Sequence, residues 1–441
     1  MLKRAENPYK VQTAVCIKNA FYPMPFKSGL EYAAPARGTW NIVHTGMLIP
    51  GAHEIFVCAA GCLRGVVLTA AEMNAADRFS TIAIRENNVL DGDMEELIID
   101  GVSNIIPKLK EKPKAILLYT SCIHHFMACD LDRVYRELRD RFPDILFTDC
   151  YMNPIMRKSG LTPDQLMRRQ LYSFLEPTDK DKKSVNIIGS DLPTVDSSDF
   201  VQLLQGNGFV IHDITACHTF EDYQKMSKSF LNITTYAAAN AAADELNTRL
   251  SQSHLYMPVS FSFDEIDAEL KELAELLHIN APDPSVRKQA AEAAIEKAET
   301  LLNDTPIAID YTAFSRPLQL AELLIRHGFA VREVYLDSIS PEEKESFDYL
   351  QKNTPDLLIY PTVHPAMRIE PRNQKEVLAI GQKAAYLTGT SHFVNIVENG
   401  GLHGYDGIIR LMEFIVDAYQ NPKDASKLIT IKGMNAGVCC L

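Results

Sequence analysis

Nine cysteines lie in this chain of 441 residues, and two short stretches set three of them where they could hold metal. The first is Val57-Cys58-Ala59-Ala60-Gly61-Cys62 and the second Tyr119-Thr120-Ser121-Cys122. Cys58 and Cys62 follow the strand-like Glu54-Ile55-Phe56-Val57, and Gly61 lets the backbone come close to whatever Cys62 binds. Cys122 follows the apolar run Lys114-Ala115-Ile116-Leu117-Leu118 and precedes a helical pattern from Asp130 to Leu138. Its thiol should therefore sit at the carboxyl end of a buried strand, where α/β sheets put their chemistry. Thiolates at such loop tips suit the soft irons of an iron-sulfur cluster. Spacing alone leaves open a zinc site on Cys58, Cys62, Cys122 and His125. Any one of these thiols taken singly also reads as a small buried residue.

The elements that must position these thiols follow one theme, a hydrophobic strand, a polar tip and an amphipathic helix. Lys114 to Thr120 leads into Asp130 to Arg141; Ser184 to Gly189 into Ser197 to Gln205; Phe209 to Ile214 into Phe220 to Phe230. Ile307 to Tyr311 leads into Pro317 to His327, followed by Ala330 to Leu336, and Asp356 to Pro361 leads into Glu376 to Tyr386. Such alternation means an α/β fold of three Rossmann-like domains, with mostly parallel sheets flanked by helices. An Ala/Glu/Lys-rich stretch from Ile266 to Leu302, broken by Pro282 and Pro284, reads as two surface helices that link domains and add little core. The expected domains are a cluster-binding one over 1–182 with an N-terminal extension, a middle one over 183–303 with the helical linker, and a third over 304–441. The segment from Gly401 should pack back on an earlier domain.

Composition excludes several classes. Hydrophobic residues make up 46% and charged residues 23%, which is ordinary globular material. A net charge of −13 with no basic stripe argues against nucleic acid, and no apolar run is long enough to span a membrane. The start lacks the apolar core of an export signal, and an odd number of cysteines argues against a disulfide framework. The expected location is the cytoplasm.

Gly61-Cys62 after a tight turn, then Thr120-Ser121-Cys122 followed by Asp130-Leu131-Asp132-Arg133-Val134, resembles the second and third cluster-ligand motifs of nitrogenase component 1 proteins. That superfamily comprises molybdenum-iron protein subunits, their cofactor-assembly scaffolds, and dark-operative protochlorophyllide and chlorophyllide reductases. The resemblance extends over about residues 30 to 415. Val185-Asn186-Ile187-Ile188-Gly189 with Leu192-Pro193 resembles the opening of the family's middle domain, and Leu231-Asn232-Ile233 its entry into the cofactor helix. Ser315-Arg316-Pro317 is similar to the loop that presents an arginine to the cofactor. Gly401-Leu402-His403-Gly404-Tyr405-Asp406-Gly407 is similar to the turn after the cofactor histidine.

Departures from the family shape the functional expectation. Tyr32-Ala33-Ala34 and Gly38-Thr39-Trp40 set a register that puts Leu30 or Glu31 where the first cluster cysteine stands. Glu31 could supply an oxygen ligand there, or Cys58 a thiolate from a new direction. Cys16 reads as a packed residue. The cofactor cysteine position falls near Thr235 and the cofactor histidine near Val394, with His392 close by, so dinitrogen reduction is not expected. What the resemblance implies is an iron-sulfur oxidoreductase subunit that receives electrons from an ATP-dependent iron protein and reduces a small-molecule substrate. It would pair with a second copy or a related chain and share one cluster, 4Fe-4S on Cys62 and Cys122 from each chain, or a P-cluster-like 8Fe-7S with Cys58 added. A second metallocofactor of unknown kind is a further implication. The alternatives are a metallocluster assembly scaffold and a non-redox metal- or ligand-binding protein.

For the distal cavity the candidates are Arg316, His392 and His403, with His218 beside them: an arginine fork for an anionic edge, histidines as proton donors. Plainer readings stand next to each. Arg316 could tie a loop to a carboxylate, the histidines could cap turns, and His124 or His125 could cap the helix after Cys122 or hydrogen-bond a cluster sulfide. Cys129 reads as packing, Cys150 as a strand-end residue, Cys217 as packing or a metal ligand in a βα loop, and Cys439-Cys440 as incidental or redox-active.

Overall fold

The protein is seen as a computed structural model that describes residues 13–27, 29–32, 34, 36, 42–153, 160–370 and 377–428. A short strand β1 (Val15–Cys16) comes first, followed by β2 (Ala52–Ala59), β3 (Phe79–Ile84), β4 (Ala115–Ser121) and β5 (Leu146–Met152). The last four form one parallel sheet in the order β3-β2-β4-β5. Both faces of β4 are covered, so all seven of its residues are buried, which is why Ala115 to Tyr119 form a continuous apolar run and not an alternation. Next come β6 (Asp181–Ile188), β7 (Val210–Asp213), β8 (Ser229–Thr234) and β9 (Ser253–Tyr256), again parallel, in the order β7-β6-β8-β9.

The third sheet holds β10 (Ile307–Asp310), β11 (Val331–Tyr335), β12 (Leu358–Tyr360), β13 (Leu378–Ile380) and β14 (Phe393–Val394). Its order is β1-β12-β11-β10-β13-β14, and only β1 runs antiparallel to its neighbour. The expected fold class, mostly parallel sheets flanked by helices, is the one observed. Contacts group the chain into two compact units. One holds the described residues within 40–193 and 208–257, the other those up to 39 and within 194–207 and 258–430. Among the described residues no helix is long and apolar enough to cross a membrane.

Three local readings need correction. The helix expected to run through Phe230 is Phe220–Lys225, and Phe230 lies in β8, whose apolar residues Leu231 and Ile233 are fully buried. Glu376 to Tyr386 is not one helix: Leu378-Ala379-Ile380 is a strand buried between β10 and β14, and the helix is Gln382–Thr388. Gly381 between them has φ +108, and a Cβ there would lie 2.3 Å from Asp310 Oδ2, so only glycine makes this turn. Finally, the two helices Phe263–Leu277 and Ser285–Leu302 are core elements. Ile266, Leu270 and Leu273 on the first and Ala291, Ile295, Ala298 and Leu302 on the second are buried. The second packs along helix Gly404–Gln420, its two small alanines allowing close approach.

The β6–β9 sheet is tied by amides as well as by apolar packing. Asn186 Nδ2 on β6 donates to Asn232 Oδ1 on β8 at 2.8 Å, and Asn232 Nδ2 donates to Gln252 Oε1 at 3.1 Å. Gln252 Nε2 in turn reaches the carbonyls of Met226 and Ser229, both at 2.9 Å. All three side chains are fully buried, so Asn232, bonded on both sides, has only these neighbours to satisfy its amide. Asn232→Leu strands donors and acceptors on both sides. It is expected to lower stability by about 2–4 kcal/mol, read as a lower urea midpoint at unchanged slope.

Candidate functional site

Strand geometry brings the three cysteines to one edge. Along β2 the side chains alternate: Phe56 and Cys58 enter one buried cluster, Ile55 and Val57 the other. Ala59 is extended, and the helix Ala60–Glu72 then starts, placing Cys62 at its third residue, exposed. On the neighbouring strand, β4 ends at Ser121 and Cys122 opens the short helix Cys122–Phe126. Phe56 pairs with Tyr119 in the ladder, so two residues further on Cys58 stands level with Ser121. Cys58 is wholly buried, Cys122 half-buried. Burial pushes the Cys58 thiol up to about 12, and the nearby thiols of Cys62 and Cys122 push the same way. The three therefore form one electrostatic group. Among the described residues no set of three His, Cys, Asp or Glu side chains is arranged to hold a metal ion within one chain.

The residues around them sort clearly. His124 Nδ1 accepts from the Ser121 backbone N–H at 3.0 Å and caps its own helix, while its Nε2 is buried without a hydrogen-bond partner. His125 is exposed. Glu31 is exposed in the N-terminal segment of the other unit, where the Tyr32 N–H donates to the Val363 carbonyl at 2.6 Å. Cys16 sits on β1 opposite Leu358. Cys217 Sγ donates to the Asp213 carbonyl at 3.3 Å, and burial lifts its thiol to about 11. Cys129 packs against the apolar cluster beneath β2, and Cys150 is fully buried beside Tyr119. Cys439 and Cys440 lie outside the described residues.

Arg316 and His403 are brought together by helix Phe263–Leu277. Arg316 precedes helix Pro317–Arg326; its Nη1 donates to Glu265 Oε2 at 2.7 Å and its Nε to Glu342 Oε2 at 2.9 Å. Glu269, one turn beyond Glu265, has Oε2 3.9 Å from His403 Nε2. Burial pushes the Glu269 carboxyl up to about 8 despite the pull of Arg316. His403 is itself buried, with the Phe200 ring edge-on at 4.8 Å. Glu343 accepts from the Leu318 and Gln319 N–H groups at 2.6 and 3.3 Å, and burial raises it to about 7. One buried guanidinium is thus ringed by four carboxyls, of which Glu265 and Glu342 reach solvent while burial raises Glu269 and Glu343. His392 is elsewhere: it precedes β14 at the amino edge of the sheet, with Nδ1 donating to the Ala418 carbonyl at 2.9 Å.

Sequence reasoning missed the groups at the switch point of this sheet. Strand order reverses between β10 and β13, and ligands of open α/β sheets bind at the carboxyl ends of such strands. Asp310 ends β10, fully buried, and accepts from the Thr312 N–H at 2.8 Å and the Ala384 N–H at 2.6 Å. Lys383, 8% exposed, donates to Tyr311 Oη at 3.0 Å. The available signal was Gly381-Gln382-Lys383 directly after an apolar triplet, obscured by reading that triplet as helix.

An α/β chain with thiols at one carboxyl edge and a buried cation at another matches known structures throughout its length. A solved structure titled "Nitrogenase Cp1 at pH 6.5" superposes with TM-score 0.67 at 14% identity, covering 90% of this chain and 94% of that one. A second, "Nitrogenase Cp1 at pH 5", gives TM-score 0.59 at 14% identity, covering 95% of each chain. No curated protein matches the sequence. The family model described as "Nitrogenase component 1 type Oxidoreductase" matches residues 43–420, and the chain belongs to that family.

Two measurements follow from the titrating groups. With its thiol near 12, Cys58 in the metal-free protein is thiolate in about one molecule in ten thousand at pH 8. Iodoacetamide should therefore modify the exposed Cys62 well before Cys58, the Cys58 rate rising about tenfold per pH unit through pH 11; mass spectrometry of the peptides reads both. Glu269 keeps its proton up to about 8 in the folded chain and loses it near 4.5 when unfolded. Its contribution is thus full below 4.5 and lost as pH rises through 8, at up to about 1.4 kcal/mol per pH unit. Glu269→Gln should flatten the fall of stability over that window in denaturation curves taken at several pH values.

Proposed function

We propose that this chain is a subunit of a nitrogenase-like iron-sulfur oxidoreductase that takes electrons from an ATP-dependent iron protein and reduces a small molecule other than dinitrogen. The observation that carries the reading is the grouping of Cys58, Cys62 and Cys122 at one carboxyl edge, on adjacent strands. Cys62 and Cys122, exposed and half-buried, suit a cluster that must be reached from outside; Cys58 suits it where a metal cation displaces the thiol proton. In this reading a second copy or a related chain supplies the remaining donors, with Cys62 and Cys122 of each chain around one shared cluster. A bound cluster would supply one-electron transfer, its charge spread over several irons.

This chain's own residues would do the rest. Lys383 and Tyr311 offer donors to an anionic group at the switch point. Arg316 is engaged by Glu265 and Glu342 and so fixes the helix that carries Glu269. Glu269, 3.9 Å from His403, keeps its proton up to about 8. The family's cofactor-ligand positions fall near Thr235 and near Val394, which bring neither thiol nor imidazole, with His392 only close by; this supports a substrate other than dinitrogen. The same two residues favour the assembly scaffold as the second reading.

Iron and acid-labile sulfide on anaerobically purified protein, with an EPR spectrum, test the proposal. About two irons per chain fit a 4Fe-4S cluster shared by two chains, about four the larger assembly, and none overturns the redox reading. Cys62→Ala and Cys122→Ala should each lose the iron and weaken the dimer, while Cys58→Ser should change the spectrum and Glu31→Gln leave it. Turnover with an iron protein and ATP separates a reductase from a scaffold.

A further inference from the structure

His392, outside the proposed redox site, lines a cavity of about 590 Å³ at the amino edge of the β10–β14 sheet. That volume is in the range of small-ligand sites. Its lining includes the apolar Leu302, Val377 and Leu378 and the polar Asp304, His392 and Tyr419. Among the described lining residues there is a carboxylate and an imidazole but neither lysine nor arginine. The tautomer of His392 is set by its neighbour. A carbonyl can only accept, so the contact of Nδ1 with the Ala418 carbonyl at 2.9 Å puts the proton on Nδ1 and leaves Nε2 of the neutral ring a lone pair.

The wall is also shaped by strain. Asn303 ends helix Ser285–Leu302 with φ 49 and ψ −132, a conformation that side chains other than glycine adopt rarely and asparagine most readily. The Asn303 N–H makes the last helical bond, to the Glu299 carbonyl at 2.8 Å; its own non-helical backbone then ends the helix, and the next residue, Asp304, lines the cavity. A cavity whose lining combines a carboxylate, an imidazole acceptor, an aromatic ring and apolar side chains suits a protonated amine on a small apolar body.

We propose that this cavity is a binding site for a small organic ammonium ion, its charged end held by Asp304 and His392 Nε2 and its apolar end against Leu302, Val377 and Leu378. The site lies at the edge opposite Arg316 and Lys383 and does not depend on the redox assignment. The test uses the full chain with 2-phenylethylammonium as probe and 3-phenylpropionate as its oppositely charged counterpart, by calorimetry and saturation-transfer NMR. Binding of the ammonium at about 1 mM or tighter, with no binding of the carboxylate, is the expected result. Asp304 is exposed, so Asp304→Asn should keep the melting temperature and weaken the ammonium about threefold to tenfold. Equal binding of both probes, no binding of the ammonium, or undiminished binding by Asp304→Asn would each overturn the assignment.

Discussion

The pairing of β2 with β4 is the constraint on which the thiol site rests. Parallel strands in register deliver the residues that follow them to the same edge, and here the ladder from Ala52 opposite Ala115 to Phe56 opposite Tyr119 sets the level of both cysteine loops. A slip of one residue would turn Cys58 to the other face of the sheet and separate it from Cys62 and Cys122. The register is held by what lies beneath it. Phe56 and Tyr119 stack with ring centroids 3.9 Å apart, and Tyr119 Oη donates to the Ile42 carbonyl at 3.0 Å. Gly46 completes this packing, because a Cβ there would come within 2.1 Å of Glu54 Oε1.

A second constraint is charge kept away from water. Arg168 is buried and donates to Asp191 Oδ2 at 2.8 Å and to the Gly189 carbonyl at 2.8 Å, which secures the loop after β6. Arg316 plays a comparable part between Glu265 and Glu342, but with more carboxyls than cations around it. Burial is what raises Glu269 and Glu343, to about 8 and about 7, while Glu265, bonded to Arg316, Ser260 and Gln319, is held below the usual carboxylate range. Proton storage in this unit is thus a consequence of burying two of the acids packed around one guanidinium.

Much of this was readable from residue order because the signals were local. Ala115–Ser121 is apolar on both faces and bounded by a helix start at Asp130, whose side chain accepts from the Arg133 N–H at 2.9 Å, so strand and helix were both recognisable. Arg316-Pro317 marked a helix start for the same reason, Pro being at home in a first turn. The failures share another cause. Leu378-Ala379-Ile380 is too short for its period to tell strand from helix, and only its place between β10 and β14 decides. Helix Ser285–Leu302 looked like a surface linker because half of its buried residues are alanines, whose value as core depends on the partner helix Gly404–Gln420 far along the chain. The link from Arg316 to His403 was invisible for that reason too: it runs through Glu265 and Glu269, which sequence alone gave no cause to single out.

Strand β1 carries a consequence for how the chain is made. Val15 and Cys16 pair with Ile359 and Leu358, and the Ile17 N–H donates to the Leu357 carbonyl at 2.8 Å, so the first strand of the third sheet waits for partners synthesised more than three hundred residues later. Residues 40–193 and 208–257, which form the other unit, are complete long before then. On a ribosome that unit can fold while the N-terminal strand is still an unpaired edge, open to any other strand in reach. Yield of the native chain should thus depend on whatever shields those first residues during elongation, and a nascent chain stalled before residue 358 is the species in which that exposure is longest.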